Sequence, residues 1–167
     1  MRILGLDPGI AIVGYSIIDV IDDTYKLIAS GSIQTDKKKN DGERLLEITS
    51  DLEEIIKLYS PDTGSVEKLF FFKNQKTVIP VAQARGVIIM TLAKFKIPLG
   101  EYTPLEIKQT ITGFGMAKKN EVAEAVERMV DKNGNKWPTL DDTVDSIAIA
   151  VCHARHTSCD LTKYVNA

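Results

Sequence analysis

The sequence predicts an α/β fold in which a central mixed sheet of five strands carries helices on both faces. Two observations lead to this prediction. The first third of the 167-residue chain holds three strand-like segments separated by short turns, and the remainder alternates helical and strand-like periodicity. Hydrophobic residues make up 44% of the chain, enough for one buried core, so we expect a single domain over residues 1–167.

The first three strands are predicted at residues 2–7, 12–19 and 25–35. Turns at Pro8-Gly9 and Asp22-Asp23 link them, which indicates an antiparallel meander. Apolar residues at spacings of three and four then predict a helix over residues 42–60 that ends before Pro61. Residues 64–67 follow as a fourth strand, which we expect to lie parallel to the first because a helix separates it from the meander.

The second half continues the alternation. Residues 78–95 are apolar and long enough for a helix of five turns, with Pro80 near its start. A fifth strand is predicted at residues 97–102, then a short helix at 104–111, a glycine-containing loop at 112–117 and a helix at 119–130. The last helix covers about residues 140–155 and carries apolar residues towards the core.

The composition excludes several classes of protein. No stretch reaches the roughly 18 uninterrupted apolar residues of a membrane span, and the first residues lack the apolar segment of a signal peptide. We therefore expect a cytoplasmic protein that does not enter a membrane. Cys152 and Cys159 have no second pair of ligands, so neither a disulfide framework nor a zinc site is expected.

Charge is distributed unevenly along the chain. The net charge is −2, but residues 68–136 contain twelve Lys and Arg against six Asp and Glu, while the remainder contains nine against seventeen. Such segregation is typical of a protein with one face for a polyanion. Chance clustering in an ordinary globular domain explains the same counts equally well.

Four acids stand where the predicted fold can bring them together. Asp7 ends the first strand and Glu67 ends the fourth, so parallel neighbours would place both at one edge of the sheet. Asp142 and Asp145 are three residues apart and share one face of the last helix. From this spacing alone a structural role is slightly favoured, since the first turn of a helix attracts acids through its dipole and Asp141 lies beside them. Placed together on the fold, the four carboxylates predict a site for Mg²⁺ or Mn²⁺, because oxygen ligands favour such hard ions.

Two such ions about 4 Å apart can activate water and stabilise the leaving oxygen of a phosphodiester. The chemistry expected of this site is therefore hydrolysis by in-line attack. The loops around it carry cations that could contact phosphates and aromatic rings that could stack on bases. At least one ring of the run 70–72 is expected to fill the core instead. The candidate DNA-binding residues are Lys68, Phe70, Phe71, Lys73, Asn74, Lys76, Arg85, Lys108, Lys118 and Lys119.

The order of predicted elements resembles the ribonuclease H-like architecture, and four segments carry a closer resemblance. ILGLDPGIAIVGYSIID, SVEKLFFFKNQKTVIPVAQARGVI, YTPLEIKQTITGFGMAKKNEV and DDTVDSIAIAVCHA resemble, in order and spacing, the bacterial RuvC-type Holliday junction resolvases. The resemblance implies a homodimeric, Mg²⁺-dependent endonuclease that places symmetric nicks in a four-way DNA junction. It also implies two metal ions per site, with Mn²⁺ as a substitute, and cooperation with the RuvA-RuvB branch-migration complex.

The resemblance also implies roles for individual residues. Asp7 and Glu67 match catalytic acids, and Asp142 and Asp145 match the acids that complete the metal site. Phe70 matches an aromatic residue that contacts unpaired junction bases. Two basic residues, Lys108 and Lys119, match those that hold the scissile strand near the metals. Residues 78–95 resemble the dimerisation helix, and their apolar character agrees with burial on more than one side.

Three other functions fit parts of this pattern. A nuclease of the same architecture that processes RNA ends would share the acids, with less need for the basic and aromatic loop. An actin-like ATPase also opens on a strand that ends in Asp, but 167 residues leave little room for its second half. A binding module without activity would have little use for all four acids.

Overall fold

The computed structural model of the protein describes residues 1–69 and 75–165, and the side chains of residues 1–69 and 78–158. The strands are β1 (Arg2–Asp7), β2 (Ile12–Ile21), β3 (Thr24–Gln34), β4 (Thr63–Glu67), β5 (Leu99–Tyr102) and β6 (Val130–Asp131). The helices are α1 (Asp41–Tyr59), α2 (Gln75–Lys94), α3 (Pro104–Thr112), α4 (Lys119–Met129) and α5 (Asp141–Val165). None of the helices within these residues is long and apolar enough to cross a membrane.

The strands form one mixed sheet in the order β5-β4-β1-β2-β3-β6 across the described residues. β1, β2 and β3 form the predicted antiparallel meander, and β4 pairs in parallel with β1 and with β5. The predicted α/β class with a mixed sheet is therefore confirmed. The expected five strands become six, because Val130 and Asp131 leave the end of α4 and pair with β3. A two-residue strand is too short to show any periodicity in the sequence.

Two apolar layers cover the two faces of this sheet. Along β1, Ile3 belongs to one core cluster, whereas Leu4 and Leu6 belong to the other, as the alternation of side chains along a strand requires. The cluster around Leu4 is completed by α1 and α2, and the cluster around Ile3 by α3, α4 and α5. The helices thus lie on both faces, as predicted.

Helix ends follow signals in the local sequence. Asn40 begins α1 with a capping box, in which its side chain accepts from the Glu43 N–H and the Glu43 carboxylate accepts from the Asn40 N–H. Thr103 and Glu106 begin α3 in the same way. This second cap places the start of α3 directly after β5, at the edge of the sheet where β1 and β4 also end.

Candidate active site

Two neighbouring strands deliver the first two acids. β1 and β4 pair in parallel with Leu6 opposite Val66, so Asp7 and Glu67 follow side by side at the carboxyl ends of these strands. Leu6 and Val66 face the core layer of α1 and α2, and alternation turns the next two side chains to the opposite face, towards α5. The predicted parallel arrangement is therefore confirmed.

The first turn of α5 lies directly on the sheet beside these acids. A Cβ built on Gly14 would lie 1.9 Å from the backbone oxygen of Asp142, and one built on Gly5 would lie 2.2 Å from that of Ser146. Neither position has room for a side chain. The two glycines let the backbone of α5 contact β1 and β2 at the turn that carries the other two acids.

A cavity of about 220 Å³ opens between the strand ends and the helices α3, α4 and α5. Asp7, Glu67 and Asp145 line it together with Lys108 from α3 and Lys119 from α4. Its apolar wall consists of Pro104, Ile107, Val122, Ala148 and Ile149. The cavity therefore holds three carboxylates and two amines against an apolar wall.

The acids repel one another strongly. The pKa of Asp7 is raised from 3.8 to about 8, first because the carboxyl is buried and then because of the charges of Asp145, Glu67 and Asp142. Burial and the charge of Asp145 raise the pKa of Glu67 from 4.5 to about 7, although Lys119 and Lys108 oppose this shift. Burial also raises the pKa of Asp145. Asp7 thus lies within electrostatic reach of the three other predicted acids, although Asp142 does not line the cavity.

Lys119 supplies a positive charge directly to this cluster. Its Nζ lies 2.8 Å from a carboxylate oxygen of Asp145 and 3.4 Å from one of Asp141. Asp141 is largely exposed and does not line the cavity. When all four acids are ionised, their charge exceeds that of Lys108 and Lys119, so the ionised cluster carries an excess of negative charge.

The donor set fits a hard divalent cation. It consists of carboxylate oxygens alone, and burial, followed by the charges of the neighbouring acids, raises the pKa values of Asp7 and Glu67, an effect that a bound cation would oppose. Among the described residues, no group of three or more Asp, Glu, His or Cys side chains is already arranged to hold an ion.

The stability of the metal-free protein is expected to fall as pH rises from about 4 to 8. Folded Asp7 and Glu67, with pKa values of about 8 and about 7, keep protons that the unfolded chain releases near pH 3.8 and 4.5. The folded state binds more protons in this window, so deprotonation favours unfolding. Thermal melts in chelator between about pH 4 and 8 test this expected loss of stability, with Asp7→Asn as the comparison. The expectation is wrong if both proteins show the same pH dependence.

Several predicted DNA-binding residues lie outside the described part of the chain. These are Phe70, Phe71, Lys73 and Asn74, together with the side chain of Lys76. Lys68 follows Glu67 at the end of β4, where its N–H donates to the carbonyl of Tyr102 at 2.8 Å. Exposed Lys118 is the N-cap of α4 beside the cavity. Their roles in binding DNA stay predictions.

Arg85 has partners within the chain. Its Nε donates to the backbone carbonyl of Glu67 at 3.3 Å, and its guanidinium forms an ion pair with Glu101 on β5. Only 17% of the Arg85 side chain is exposed. Sequence reasoning missed Glu101 entirely, because an acid on an edge strand has no pattern that marks it as part of a site.

Side chains of α3 hold the loop between α3 and α4. Gly113 ends α3 with a φ of 78°, and Gln109 then spans the loop by donating to the Gly113 carbonyl at 2.8 Å and accepting from the Gly115 N–H at 2.9 Å. Phe114 and Met116 are 61% and 74% exposed. The loop therefore presents two apolar side chains between the two lysines that line the cavity.

Comparison with known proteins relates this site to a family. A family model described as "Crossover junction endodeoxyribonuclease RuvC" matches residues 3–153. The chain belongs to the RuvC family. The protein of that name from Synechococcus sp. (strain CC9605) is 46% identical over 151 residues, which cover 90% of this chain and 96% of that protein. The one from Halothermothrix orenii is 46% identical over 153 residues, covering 92% of each.

Solved structures of the family have the same fold. Thermus thermophilus RuvC superposes with a TM-score of 0.87 at 26% identity and covers 96% of this chain and 97% of its own. The same protein in complex with Holliday junction substrate has a TM-score of 0.84, also at 26% identity, and covers 94% of both chains. The ribonuclease H-like architecture is thereby confirmed, and the chain is a nuclease of a family that depends on a divalent metal.

Proposed function

We propose that this protein resolves four-way Holliday junctions in homologous recombination and repair by placing symmetric nicks in two strands. The observation that carries the proposal is the acidic cavity flanked by Lys108 and Lys119, in a chain of the RuvC family. Hydrolysis of each phosphodiester leaves a 5′-phosphate and a 3′-hydroxyl. The relative solved with a Holliday junction supports the choice of substrate.

Mg²⁺ is the proposed cofactor, with two ions per site and Mn²⁺ as a substitute. Asp7, Glu67, Asp142 and Asp145 would hold it, since Asp7, Glu67 and Asp145 line the cavity and the charge of Asp142 also acts on Asp7. The bound ions supply Lewis acidity that activates water and stabilises the leaving oxygen.

The side chains around the acids hold the DNA strand in the site. Lys108 and Lys119 hold the phosphates of the scissile strand beside the carboxylates, because both amines line the same cavity. The apolar wall excludes bulk water, which strengthens these electrostatic contacts. The remaining predicted DNA-binding residues contact the strand beyond the cavity: Lys68, Phe70, Phe71, Lys73, Asn74, Lys76 and Lys118.

Two equivalent cuts require two equivalent sites, so we propose that the protein acts as a homodimer. The apolar side chains of Ile79 and Met90 on α2 are 67% and 54% exposed, which supports α2 as the dimer contact. We also propose that residues 1–167 form one nuclease domain that acts in the cytoplasm together with the RuvA-RuvB branch-migration complex.

A synthetic four-way junction tests the function. Each of its four strands is labelled in turn and the junction is incubated with purified protein and Mg²⁺. We expect paired nicks at symmetric positions in two opposite strands, no cleavage in chelator and much weaker cleavage of linear duplex. Absence of paired nicks across a range of Mg²⁺ and Mn²⁺ concentrations would overturn the proposal. Cleavage of single-stranded RNA in preference to the junction would favour the RNA-processing alternative.

A further inference from the structure

Arg85 joins three elements at the point where β4 ends. It lies on α2 between Ala84, which is fully buried, and Ile88, one turn later and also fully buried. From this anchored position its Nε reaches the backbone carbonyl of Glu67, and its guanidinium pairs with Glu101 on β5. The helix, the end of β4 and the edge strand are thus connected through one planar group.

The strand register explains how one side chain can contact both strands. β4 and β5 are parallel, with Val66 opposite Glu101 and Glu67 opposite Tyr102. Val66 packs in the core layer of α1 and α2, so its partner Glu101 also faces α2 and meets Arg85 there. The carboxylate of Glu67 points to the opposite face and lines the acidic cavity. Arg85 therefore contacts the backbone of Glu67 from the face of the sheet opposite the cavity.

The surroundings of Glu67 explain why the contact of Arg85 with its backbone matters. Its carboxylate lines the cavity together with those of Asp7 and Asp145, so like charges converge there when the carboxyls are ionised. β5 is the edge strand of the sheet and has only four residues, so the ladder that supports β4 on this side is short. A fixed guanidinium bound to both strands resists displacement of Glu67.

The ion pair also makes Arg85 a poor ligand for phosphate. Arg85 is mostly buried, and Glu101 already neutralises its charge. To bind Arg85, a phosphate would first have to displace the Glu101 carboxylate, and a guanidinium can hold a carboxylate through two parallel hydrogen bonds. This contrasts with exposed Lys118, which stands beside the cavity.

We propose that Arg85 and Glu101 form a clamp that positions Glu67 for binding the divalent metal, and that Arg85 is a positioning residue that does not contact DNA. The inference rests on the proposed metal-dependent nuclease function. It assigns to Glu101 a role in the site although its carboxylate lies on the other face of the sheet.

Three variants test the clamp: Arg85→Gln, Arg85→Lys and Glu101→Gln. Affinity for Mn²⁺ is measured by calorimetry without DNA, and affinity for the junction by fluorescence polarisation in chelator. We expect each variant to bind Mn²⁺ more weakly, by about tenfold or more for Arg85→Gln, as is typical when a residue supporting a metal ligand is removed. Arg85→Lys keeps the positive charge, but a single amine cannot bridge Glu67 and Glu101. This variant should therefore bind Mn²⁺ nearly as weakly as Arg85→Gln. Junction affinity in chelator stays unchanged.

Glu101→Gln separates the clamp from direct DNA contact. If Arg85 bound phosphate, removing Glu101 would release the guanidinium and raise junction affinity, while Arg85→Gln would lower it and leave Mn²⁺ affinity unchanged. That pair of results would overturn the clamp. The matched control is Glu53→Gln, which removes the ion pair of Glu53 with Lys94 at the far end of α2. It should leave Mn²⁺ affinity and junction affinity unchanged.

Thermal melts of the metal-free variants exclude unfolding as the cause of weaker Mn²⁺ binding. Failure of the proposed function is seen separately, because the wild-type protein would then bind Mn²⁺ without nicking a junction. Wild-type nicking together with unchanged Mn²⁺ affinity in all three variants would sink the clamp alone.

Discussion

Asp7→Asn is expected to abolish junction cleavage and leave junction binding intact. The substitution keeps the shape of the side chain but removes a carboxylate that interacts with Asp145, Glu67 and Asp142 at the centre of the cluster. The loss of cleavage should be on the order of 10³-fold or more, the scale seen when an essential group is removed from an active site. Single-turnover cleavage with saturating protein measures it.

Binding and stability give the same variant two further readouts. Junction affinity in chelator should equal that of the wild type, because the basic residues are unchanged and metal-free Asp7, with a pKa of about 8, is already largely uncharged near neutral pH. The metal-free variant should also melt at a higher temperature near neutral pH, since folding of the wild type must protonate Asp7, whose folded pKa is about 8, whereas Asn takes up no proton. Asp141→Asn is the control: Asp141 is exposed and should be dispensable for most of the activity. Loss of binding in proportion to cleavage would mean that Asp7 supports the fold.

Gly14→Ala is expected to damage the site without changing any functional group. The new Cβ would lie 1.9 Å from the oxygen and 2.3 Å from the carbon of the Asp142 carbonyl, and 2.9 Å from the Thr143 nitrogen. Non-bonded heavy atoms rest roughly 3.5 Å apart, so α5 must retreat from β2 by about 1.5 Å. Overpacking of this kind costs about 1–3 kcal/mol of unfolding free energy.

The same shift carries two acids away from the other two. A displacement of this size in a catalytic group lowers the rate by about 10²-fold. Denaturant titration and single-turnover cleavage measure the two effects. Gly86→Ala is the matched control, because nothing lies within 4 Å of a Cβ at Gly86, within α2. It should raise stability by about 0.5–1 kcal/mol; because Gly86 lies on the same face of α2 as Ile79 and Met90, the proposed dimer contact, this variant is a control for stability alone. Equal behaviour of the two variants would show that α5 does not depend on Gly14.

Local patterns were sufficient for most of the fold. Alternation and turn residues placed β1 without error, and the hairpin between β2 and β3 turns where Asp22 and Asp23 adopt positive φ. Boundaries were less predictable, because helices extend when their neighbours support them. α2 begins at Gln75, three residues before the expected start, and α5 continues to Val165, ten residues beyond the expected end.

The acids of the candidate site were predictable because each has a local signature. Asp7 and Glu67 end apolar strands, and Asp142 and Asp145 have helical spacing. The contacts that support them have no such signature. The ion pair of Arg85 with Glu101 joins residues 16 positions apart on different elements. Gly14 carried a signal that sequence reasoning did not use, since a glycine inside a strand often marks a close backbone approach.

The loop after α3 is held through hydrogen bonds to its backbone. Gln109 bonds only to backbone atoms of the loop, at Gly113 and Gly115, and Thr112 likewise bonds the backbone of residue 114. The conformation of the loop is therefore independent of which side chains occupy positions 114 and 116. An engineered library could therefore vary those two positions, and whatever they carry would be displayed at the same place between α3 and α4.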